Sequence, residues 1–556
     1  MKLDSSGRLK EKSSQVVVLL GVIIGLGSFV YYYFHGLTTV HFDAKAHLLV
    51  ARRIFDTALP GYSQMGAHWL PLIHLLYLPL VAFESQYRSG LIPSLISVGS
   101  FAVSGWLVFR IALRLTASRT AGYFAAAVLL ANPNLQFLQS APLTEPIYMA
   151  LSLAAMDSML RWREIGASRV PWLPATWASL AALCRYEGWL LVGGMIALIG
   201  YDLWNRQTSR PHAFKAAAAY LGLFAAPVLA HFGYIYLRLG DSFFQRVARG
   251  SPAPYETHAR PLLSIVYHAG ELAQMASIVP LLIALAGVVY SLCARDRLQR
   301  CLPYLLLWLP SLVNVAALYW GLMYRVRYSS LLLPAVAVFG SLILSRATAS
   351  RRVTILVCLA IFSLPWLSWV FPRVWEYHFM YPGPGILLLP AASLVVLLAA
   401  RALGRYPWAL VTLAVLGMQI PALEGESRAM LSESREHAYI EPEQQEVLQY
   451  LRMHYDGSLV LIDVGRLAPL MYDSALPIRE FVCHEGDPTN WLKAVEAPRR
   501  HVGWLLAEKG DEVWGLLQID PRWADGYSLA VQTENYVLYQ RNPEGRERGL
   551  PAGRLK

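Results

Sequence analysis

The sequence has little charge and few cysteines for its length. Only 15% of its 556 residues are charged, and five are cysteines. These cysteines form no CxxC pair and have no accompanying pair of histidines, so they predict neither a structural zinc site nor a redox motif. Any chemistry has to be carried by other residue types.

Long apolar runs take the place of the missing charge. Hydrophobic residues make up 56% of the chain, its mean hydropathy is +0.39, and the apolar runs approach the ~20 residues with which a helix spans a bilayer. The sequence therefore predicts a mostly α-helical polytopic membrane protein. The first run, residues 16–34, has no small-residue cleavage site before its three tyrosines, which favours an uncleaved helix over a signal peptide.

The formal net charge of +11 is unevenly distributed. Acidic residues outnumber basic ones in residues 422–556, whereas basic residues predominate in residues 1–421. We therefore predict a membrane domain at 1–421 and a soluble domain at 422–556. Basic clusters in a membrane protein mark cytoplasmic loops more often than a nucleic-acid surface, so we expect no nucleic acid among the partners.

These basic clusters define a topology because they recur between the apolar runs. They lie at residues 110–119, 161–169, 206–215, 295–300, 346–352 and 401–405. With a cytoplasmic amino terminus they fall at every second connection, as the positive-inside rule requires, provided that residues 172–201 form two short helices meeting at CRYEG (184–188). We predict about thirteen transmembrane helices in the plasma (inner) membrane, with the carboxyl-terminal domain periplasmic or extracellular.

The first outer loop, residues 35–89, is too long for a turn between two helices. It opens with HFDAKAHLLVARR (41–53), and residues 44–59 and 61–80 mix apolar side chains with charged or aromatic ones. This mixture predicts two helical segments that lie in the membrane interface. Asp43 stands where the first of them emerges, either as a helix N-cap or as a functional acid.

Few other acids of the membrane domain face outward on this topology. Glu145 begins a helix in LTEPIYM, where a first-turn acid also interacts favourably with the helix dipole. Glu187 lies beside Arg185 at the tip of the two short helices. It forms either a structural ion pair or a contact with substrate.

Two outward arginines oppose the charge bias of the other loops, and two more, Arg246 and Arg249, occupy another outer loop. Arg325 and Arg327 lie in MYRVRYSSLLLPA (323–335), and Arg249 lies in the connection 239–261, whose glycines and prolines indicate a loop that can close over a site. Such arginines either contact lipid headgroups or bind phosphate oxygens, which a guanidinium group matches in geometry and charge.

The order of these segments resembles the GT-C superfamily of polytopic glycosyltransferases. A long first span is followed by FDAKAHLLVARR, LTEP, CRYEGW, MYRVRYSSLLLPA and a soluble tail. The similarity is greatest to the bacterial branch that resembles protein mannosyltransferases and aminoarabinose transferases. The resemblance implies a polyprenyl-phosphate-linked sugar donor, transfer outside the membrane, and a catalytic or metal-linked acid in the first outer loop. Asp43 is the matching residue.

One feature of the family is absent here. The usual pair of adjacent acids is replaced by Asp43, Ala44 and Lys45, so Glu145 becomes the candidate second acid. Whether it acts directly or through a divalent cation, Mg²⁺ or Mn²⁺, is left open, and no other cofactor is expected. The resemblance also places Arg185, Arg327 and Tyr328 near the donor phosphate.

The sequence thus predicts an inverting sugar transferase in which Asp43 is the base. Its partners would be the lipid-linked donor, membrane lipids, and an acceptor lipid, glycan or protein. The predicted site residues are Asp43 and Glu145 for catalysis or metal binding; Arg185, Arg325, Arg327 and Tyr328 for the donor phosphate; and His41, Lys45, Glu187 and Arg249 for other substrate contacts.

Two alternatives have different signatures. A transporter or flippase of a lipid-linked substrate commonly shows paired internal repeats, and the sequence has no second copy of the segment 172–201. A non-catalytic scaffold predicts no clustering of Asp43 with Glu145. The identity of the sugar and of the acceptor is not encoded in these short segments.

The carboxyl-terminal segment has the pattern of a small α/β domain. Helices are predicted at 443–455 and 490–497, a strand at 458–464, and a hairpin at 527–541 with its turn near Glu534 and Asn535. Cys483 is its only cysteine, so no disulfide can form within it. The resemblance implies a role in acceptor binding, and residues 543–556 are predicted to be a disordered end.

Overall fold

The structure is a computed structural model that describes residues 5–66, 68–165, 169–205, 208–239, 255–347, 441–484 and 487–542, with isolated positions between 394 and 434. The chain divides into two compact units. The first comprises Met1–Leu37, Ser94–Leu229 and Phe244–Glu433, and the second comprises Thr38–Pro93, Ala230–Phe243 and Ser434–Lys556. Most of the predicted lid at 239–261, including Arg249, and the predicted disordered end lie outside the described residues.

The described chain is mainly helical. Its α-helices, in order, are α1 (Ser5–Phe34), α2 (Phe42–Arg53), α3 (Pro71–Tyr77), α4 (Glu84–Ser89), α5 (Leu91–Thr116), α6 (Arg119–Leu130), α7 (Pro133–Leu138), α8 (Glu145–Glu164), α9 (Trp172–Cys184), α10 (Glu187–Trp204), α11 (Arg210–Leu239), α12 (Pro261–Ala276), α13 (Ile278–Leu292), α14 (Arg295–Leu305), α15 (Leu309–Trp320), α16 (Leu332–Ala347), α17 (Glu441–His454), α18 (Val464–Asp473), α19 (Pro488–Glu496), α20 (Pro498–His501) and α21 (Glu512–Ile519). Short 3₁₀ helices occupy Tyr62–Met65, Tyr255–Thr257, Leu306–Trp308, Val326–Ser329, Ile478–Glu480 and Pro521–Ala524.

Several of these helices are long and apolar enough to cross a membrane. Five such helices occur within the described residues, at Lys12–Phe34, Leu91–Thr116, Arg210–Arg238, Arg295–Trp320 and Val326–Arg346. A bent pair, Pro261–Ala276 with Pro280–Leu292, raises the number to six if it counts as one span. The chain is therefore a polytopic membrane protein by length and composition. The predicted total of thirteen also depends on residues 348–440, most of which lie outside the described part.

Close helix packing in the first unit depends on glycine. The closest example joins α13 to α16, where a Cβ built at Gly287 would lie 2.0 Å from the carbonyl oxygen of Phe339. Small residues let helix backbones approach in a bilayer, where hydrophobic burial adds little to helix association. The glycines within the apolar runs therefore determine how closely the helices pack, in addition to the solubility of these runs in the membrane.

The predicted break at CRYEG is confirmed. Helix α9 ends at Cys184, and α10 begins at Glu187 and continues to Trp204, three residues beyond the predicted end. Gly188 permits the sharp return, because a Cβ there would lie 2.5 Å from the carbonyl oxygen of Ala181. The result is a pair of short packed helices whose connecting residues are Arg185 and Tyr186.

The second unit contains a five-stranded sheet. Its strands are β1 (Val460–Leu461), β2 (Phe481–Val482), β3 (Trp504–Glu508), β4 (Tyr527–Gln532) and β5 (Tyr536–Arg541), in the order β2-β1-β3-β5-β4. β1 is parallel to β2 and β3, and β5 is antiparallel to β3 and β4. The predicted α/β class and hairpin are confirmed, and the helices α17 and α19 fall within two residues of their predicted bounds. The strand predicted at 458–464 is shorter, because α18 begins at Val464.

Residues between 38 and 93 pack against this α/β domain within the second unit. The hydroxyl of Tyr472, on α18, lies within hydrogen-bonding distance of the carbonyl oxygens of Tyr87 and Arg88, at 2.8 and 2.6 Å. These carbonyls lie at the end of α4, where the helix itself supplies no partners. Lys45, on α2, forms an ion pair with Asp473. Helix α2 is therefore buried over most of its length, which differs from the interfacial helix predicted from the sequence.

Two acids of the sheet domain make its stability depend on pH. Burial, reinforced by neighbouring carboxylates, raises the pKa of Glu508 to about 7 and that of Asp511 to about 6. A raised pKa means that the folded state favours the protonated acid. The contribution of these acids to the free energy of unfolding is therefore full at about pH 4 and is lost as pH rises through 6 and 7. We expect Glu508→Gln to stabilise the domain at pH 8 by about 1–2 kcal/mol and to reduce the pH dependence.

Hydrogen exchange of residues 441–542 in the full-length protein, corrected for intrinsic rates, measures this free energy of opening at each pH. The exposed Glu496 provides the matched control, Glu496→Gln, for which we expect no change. If the free energy of opening depends on pH equally in the wild type and in Glu508→Gln, the raised pKa is not that of Glu508.

Candidate functional site

Two glutamates and two arginines form a cluster in the first unit. Glu145 is fully buried, and Arg185 and Arg327 are 9% and 5% exposed. Both guanidinium groups donate from Nη1 to the same oxygen, Oε1 of Glu145, at 2.6 Å from Arg185 and 3.0 Å from Arg327. Glu187 completes the group because Nη2 of Arg185 donates to its Oε1 at 2.7 Å. We call these four residues the acid–arginine cluster.

The first turn of α8 positions Glu145. Pro146 follows it within that turn, where the missing N–H of proline costs the helix no hydrogen bond. The start of a helix also favours a negative charge. In addition, the hydroxyl of Thr144 lies 3.4 Å from Oε2 of Glu145. The predicted first-turn acid is therefore also the centre of the cluster.

Arg185 lies at the extended residue between α9 and α10. All three of its side-chain nitrogens donate hydrogen bonds, with Nη1 reaching both Glu145 and Oγ1 of Thr144, at 2.7 Å for the latter. Its Nε and Nη2 donate to Glu187. The predicted ion pair of Arg185 with Glu187 is therefore present, and the helix break places the guanidinium group against Glu145 as well.

Arg327 comes from the 3₁₀ helix Val326–Ser329, far along the chain. The ring of Tyr328 lies 5.3 Å from the guanidinium carbon of Arg185 and 5.7 Å from that of Arg327, so one aromatic ring contacts both cations. Arg325 precedes this turn, and its carbonyl oxygen accepts from Nδ2 of Asn314 at 3.2 Å. Arg185 and Arg327 thus contact Glu145 directly, and the predicted residues Glu187 and Tyr328 contact these arginines.

A polar network that was not predicted from the sequence supports the arginine turn. His268, on α12, is 2% exposed, and its Nδ1 lies 3.0 Å from the hydroxyl of Tyr324. Nδ2 of Asn314 donates to Oγ of Ser329 at 2.8 Å. These contacts hold both ends of the segment that carries Arg325 and Arg327. Lone polar residues in apolar runs, such as His268 and Asn314, were the available signal.

The charges of the acid–arginine cluster cancel, with two carboxylates facing two guanidinium groups. Buried ion pairs add little net stability, yet removing one partner leaves a buried charge uncompensated and costs about 3–5 kcal/mol. The side chain of Glu187 is 16% exposed, whereas that of Glu145 is not exposed at all. Glu187 is therefore the member that an incoming anion can replace with the smallest loss of packing.

Glu145 does not fit the role of a metal ligand. Its Oε1 accepts from two guanidinium groups, and these positive charges would repel a divalent cation at the same oxygen. Among the residues that the structure describes, no group of three or more His, Cys, Asp or Glu side chains is arranged to hold a metal ion.

Asp43, His41 and Lys45 belong to the second unit. His41, rather than Asp43, is the N-cap of α2, because its Nδ1 accepts from the backbone N–H of Asp43 at 3.0 Å. The side chain of Asp43, in the first helical turn, is thereby not required for capping, and the residue is half-buried. The ammonium group of Lys45 contacts Asp473. The tail domain thus makes direct contact with the helix that carries Asp43.

A histidine pair that was also not predicted joins α2, which carries His47, to α3, which carries His74. Nδ1 of His47 lies 3.2 Å from Nε2 of His74, and the ring of Trp69 packs beside them. Both histidines are buried, and burial lowers the pKa of His74 well below its usual value. His74 is therefore neutral at physiological pH, and the contact between the two rings ties α2 to α3.

The fold is shared with known membrane proteins of low sequence identity. No family model matches the sequence, and no curated protein matches it. ArnT from Cupriavidus metallidurans bound to undecaprenyl phosphate is similar with a TM-score of 0.58 and 14% identity, over 94% of this chain and 98% of that chain. The apo state of the same protein gives 0.55 and 13% over the same shares.

A third solved structure matches more weakly. Arabinosyltransferase EmbB from Mycobacterium smegmatis has a TM-score of 0.42 and 16% identity, over 79% of this chain and 44% of that chain. Across nearly their full lengths, this chain and ArnT have the same fold, which agrees with the predicted architecture of a helical polytopic membrane protein with a small carboxyl-terminal sheet.

Proposed function

We propose that this protein is a membrane glycosyltransferase that transfers a sugar from a polyprenyl-phosphate donor to an acceptor at the outer face of the membrane. The observation that carries the proposal is the acid–arginine cluster, in a fold shared with an ArnT that was solved bound to undecaprenyl phosphate. Guanidinium groups bind phosphate oxygens in two-pronged hydrogen bonds and stabilise the charge on a leaving phosphate.

In this proposal Asp43 is the general base. It accepts the proton of an acceptor hydroxyl or amine as that group attacks the anomeric carbon from the face opposite the phosphate. The bond between the anomeric carbon and the phosphate oxygen breaks, and its electron pair leaves with the polyprenyl phosphate. The configuration at the anomeric carbon is inverted. A carboxylate with this role contributes roughly 10²–10⁴ in rate.

The arginines hold the departing phosphate, and Glu145 orients them. Arg185 and Arg327 would repel each other without the shared carboxylate, which keeps both guanidinium groups at one point of the site. Arg325 and Tyr328 extend the same segment toward the donor, and Lys45, His41 and Arg249 are proposed contacts of the substrates. The acceptor, a lipid, glycan or protein, would bind near the tail domain.

A transfer assay tests this proposal against transport. Purified protein is incubated with radiolabelled undecaprenyl-phosphate sugar and a membrane extract as the source of acceptor, and the covalent label on the acceptor is measured. We expect transfer by the wild type and its loss in Asp43→Asn. In vesicles containing the purified protein, label that crosses the bilayer while remaining on the polyprenyl phosphate would instead identify a transporter.

Replacing Glu187 is expected to lower the KM for the donor, whereas replacing Glu145 is expected to raise it. The incoming phosphate replaces the carboxylate of Glu187 on Nη2 and Nε of Arg185, so that one anion is exchanged for another. We therefore expect Glu187→Gln to lower the KM for the donor roughly threefold to tenfold, because a neutral amide competes less well for a guanidinium group. An unchanged or higher KM, in a variant as stable as the wild type, would contradict this exchange.

A further inference from the structure

A long apolar groove runs between α5, α8 and α9 in the first unit. It has a volume of about 470 Å³, and on α8 its lining extends from Ile147 to Arg161. At 1.5 Å per helical residue this is about 21 Å. The walls are apolar over most of this length, with side chains such as Val103 and Leu151. This space, which we call the α5–α8 groove, has the length and surface suited to a hydrocarbon chain.

Small residues create the groove. A Cβ built at Gly99, on α5, would have no atom within 4 Å. Ala150 and Ala154 line the opposite wall on α8. In a bilayer, small residues on neighbouring helices usually let the helices close together. Here the helices leave the space open instead, so a membrane component has to fill it.

One end of the groove is basic. Arg110 and Arg161 line it, and each has a guanidinium nitrogen 3.2 Å from Oδ2 of Asp157. Arg114 approaches the other oxygen of the same carboxylate at 3.6 Å. The half-exposed Glu164 pairs with Arg114, and this leaves one positive charge in excess around Asp157. The side chain of Arg161 is 47% exposed, so this charge is accessible.

We propose that the α5–α8 groove binds an anionic glycerophospholipid of the bilayer. One acyl chain lies along Gly99, and the headgroup phosphate contacts Arg110 and Arg161. Basic pockets between transmembrane helices are suited to anionic headgroups. Trp106 stacks under the guanidinium group of Arg110 at 4.4 Å, and tryptophan is enriched at the level of the headgroups.

The proposed lipid is distinct from the sugar donor. Arg161 lies sixteen residues after Glu145 on the same helix, which is about 24 Å. That distance is most of the ~30 Å hydrocarbon thickness of a bilayer. The headgroup is therefore expected in the leaflet opposite to the acid–arginine cluster, and its binding does not depend on the proposed transferase activity.

Native mass spectrometry of the delipidated full-length protein tests this site. Dioleoyl phosphatidylglycerol and dioleoyl phosphatidylcholine are titrated separately, and then together with undecaprenyl phosphate as competitor. One variant, Arg110→Gln with Arg161→Gln, removes the headgroup contacts. A second, Gly99→Phe, fills the groove without a steric clash at the Cβ. The matched controls are Arg300→Gln, at an exposed arginine, and Gly193→Phe, at an exposed glycine that also has no atom within 4 Å.

We expect one phosphatidylglycerol to bind at least tenfold more tightly than phosphatidylcholine. Each basic side chain near a membrane surface strengthens anionic lipid binding roughly fivefold, so the double arginine variant should bind about tenfold to thirtyfold more weakly. Gly99→Phe should lose the lipid, and both controls should retain it. Equal binding of the two phospholipids, retention by both groove variants, or displacement by undecaprenyl phosphate would overturn the proposal.

Discussion

Replacing Asp43 by asparagine is expected to reduce the rate of sugar transfer by roughly 10²–10⁴, with little change in stability. An amide cannot accept the proton of the acceptor, and a general base contributes rate enhancements of this size. The fold should tolerate the change, because His41 rather than Asp43 caps α2. Initial rates of label transfer at saturating donor, together with thermal unfolding, measure the two quantities.

The matched control for this substitution is Glu84→Gln in the same loop. Glu84 is an exposed acid that pairs with Arg52 and Arg88 and has no proposed contact with substrate. Its variant should retain nearly full activity. If Asp43→Asn transfers sugar at the wild-type rate, Asp43 is not the base, and the proposed mechanism fails even if the protein proves to be a transferase.

Replacing Glu145 by glutamine should destabilise the protein by about 3–5 kcal/mol. The change leaves two buried guanidinium groups facing an uncharged amide, and uncompensated buried charge has this cost. The remaining folded enzyme should have a higher KM for the donor, because the arginines are no longer held together. Thermal unfolding in detergent gives the first effect, and donor titration of the purified enzyme gives the second.

Two further variants make this prediction specific. Glu164→Gln removes an acid at the other end of the same helix, where the side chain is half exposed and its partner is 3.6 Å away. A pair of that kind contributes only about 0–1 kcal/mol. Glu145→Asp retains the charge and should recover part of the stability. If the Glu145→Gln protein unfolds at the same temperature as the wild type, the acid–arginine cluster is not the electrostatic centre inferred from its geometry.

The sequence predicted the parts of the fold that arise from local pattern. Apolar run length indicated the membrane spans, and the basic clusters required the helix break that the structure places at Arg185 and Tyr186. The hairpin turn of the α/β domain followed from polar residues between two β-rich segments. Strand β3 and helix α18 were not predicted, because the first is short and has no polar alternation before Glu508 and the second contains Pro469.

Long-range contacts were beyond a linear pattern. Glu145 and Arg327 are 182 positions apart in the chain, and no spacing rule relates them. The same holds for Lys45 and Asp473, whose ion pair joins α2 to the tail domain within one compact unit. The sequence could identify Glu145 as an acid at a helix start. It could not indicate that two arginines neutralise it, and this neutralisation is what argues against a metal at that carboxylate.

An experimental structure of the full-length protein with undecaprenyl phosphate would test the central claim most directly. We predict density for the phosphate at about 3 Å, hydrogen-bonding distance, from the guanidinium nitrogens of Arg327 and Arg185. Glu145 should still contact both arginines, and Glu187 should be displaced. Phosphate density at another location, with Arg185 still bound to Glu187, would contradict the account.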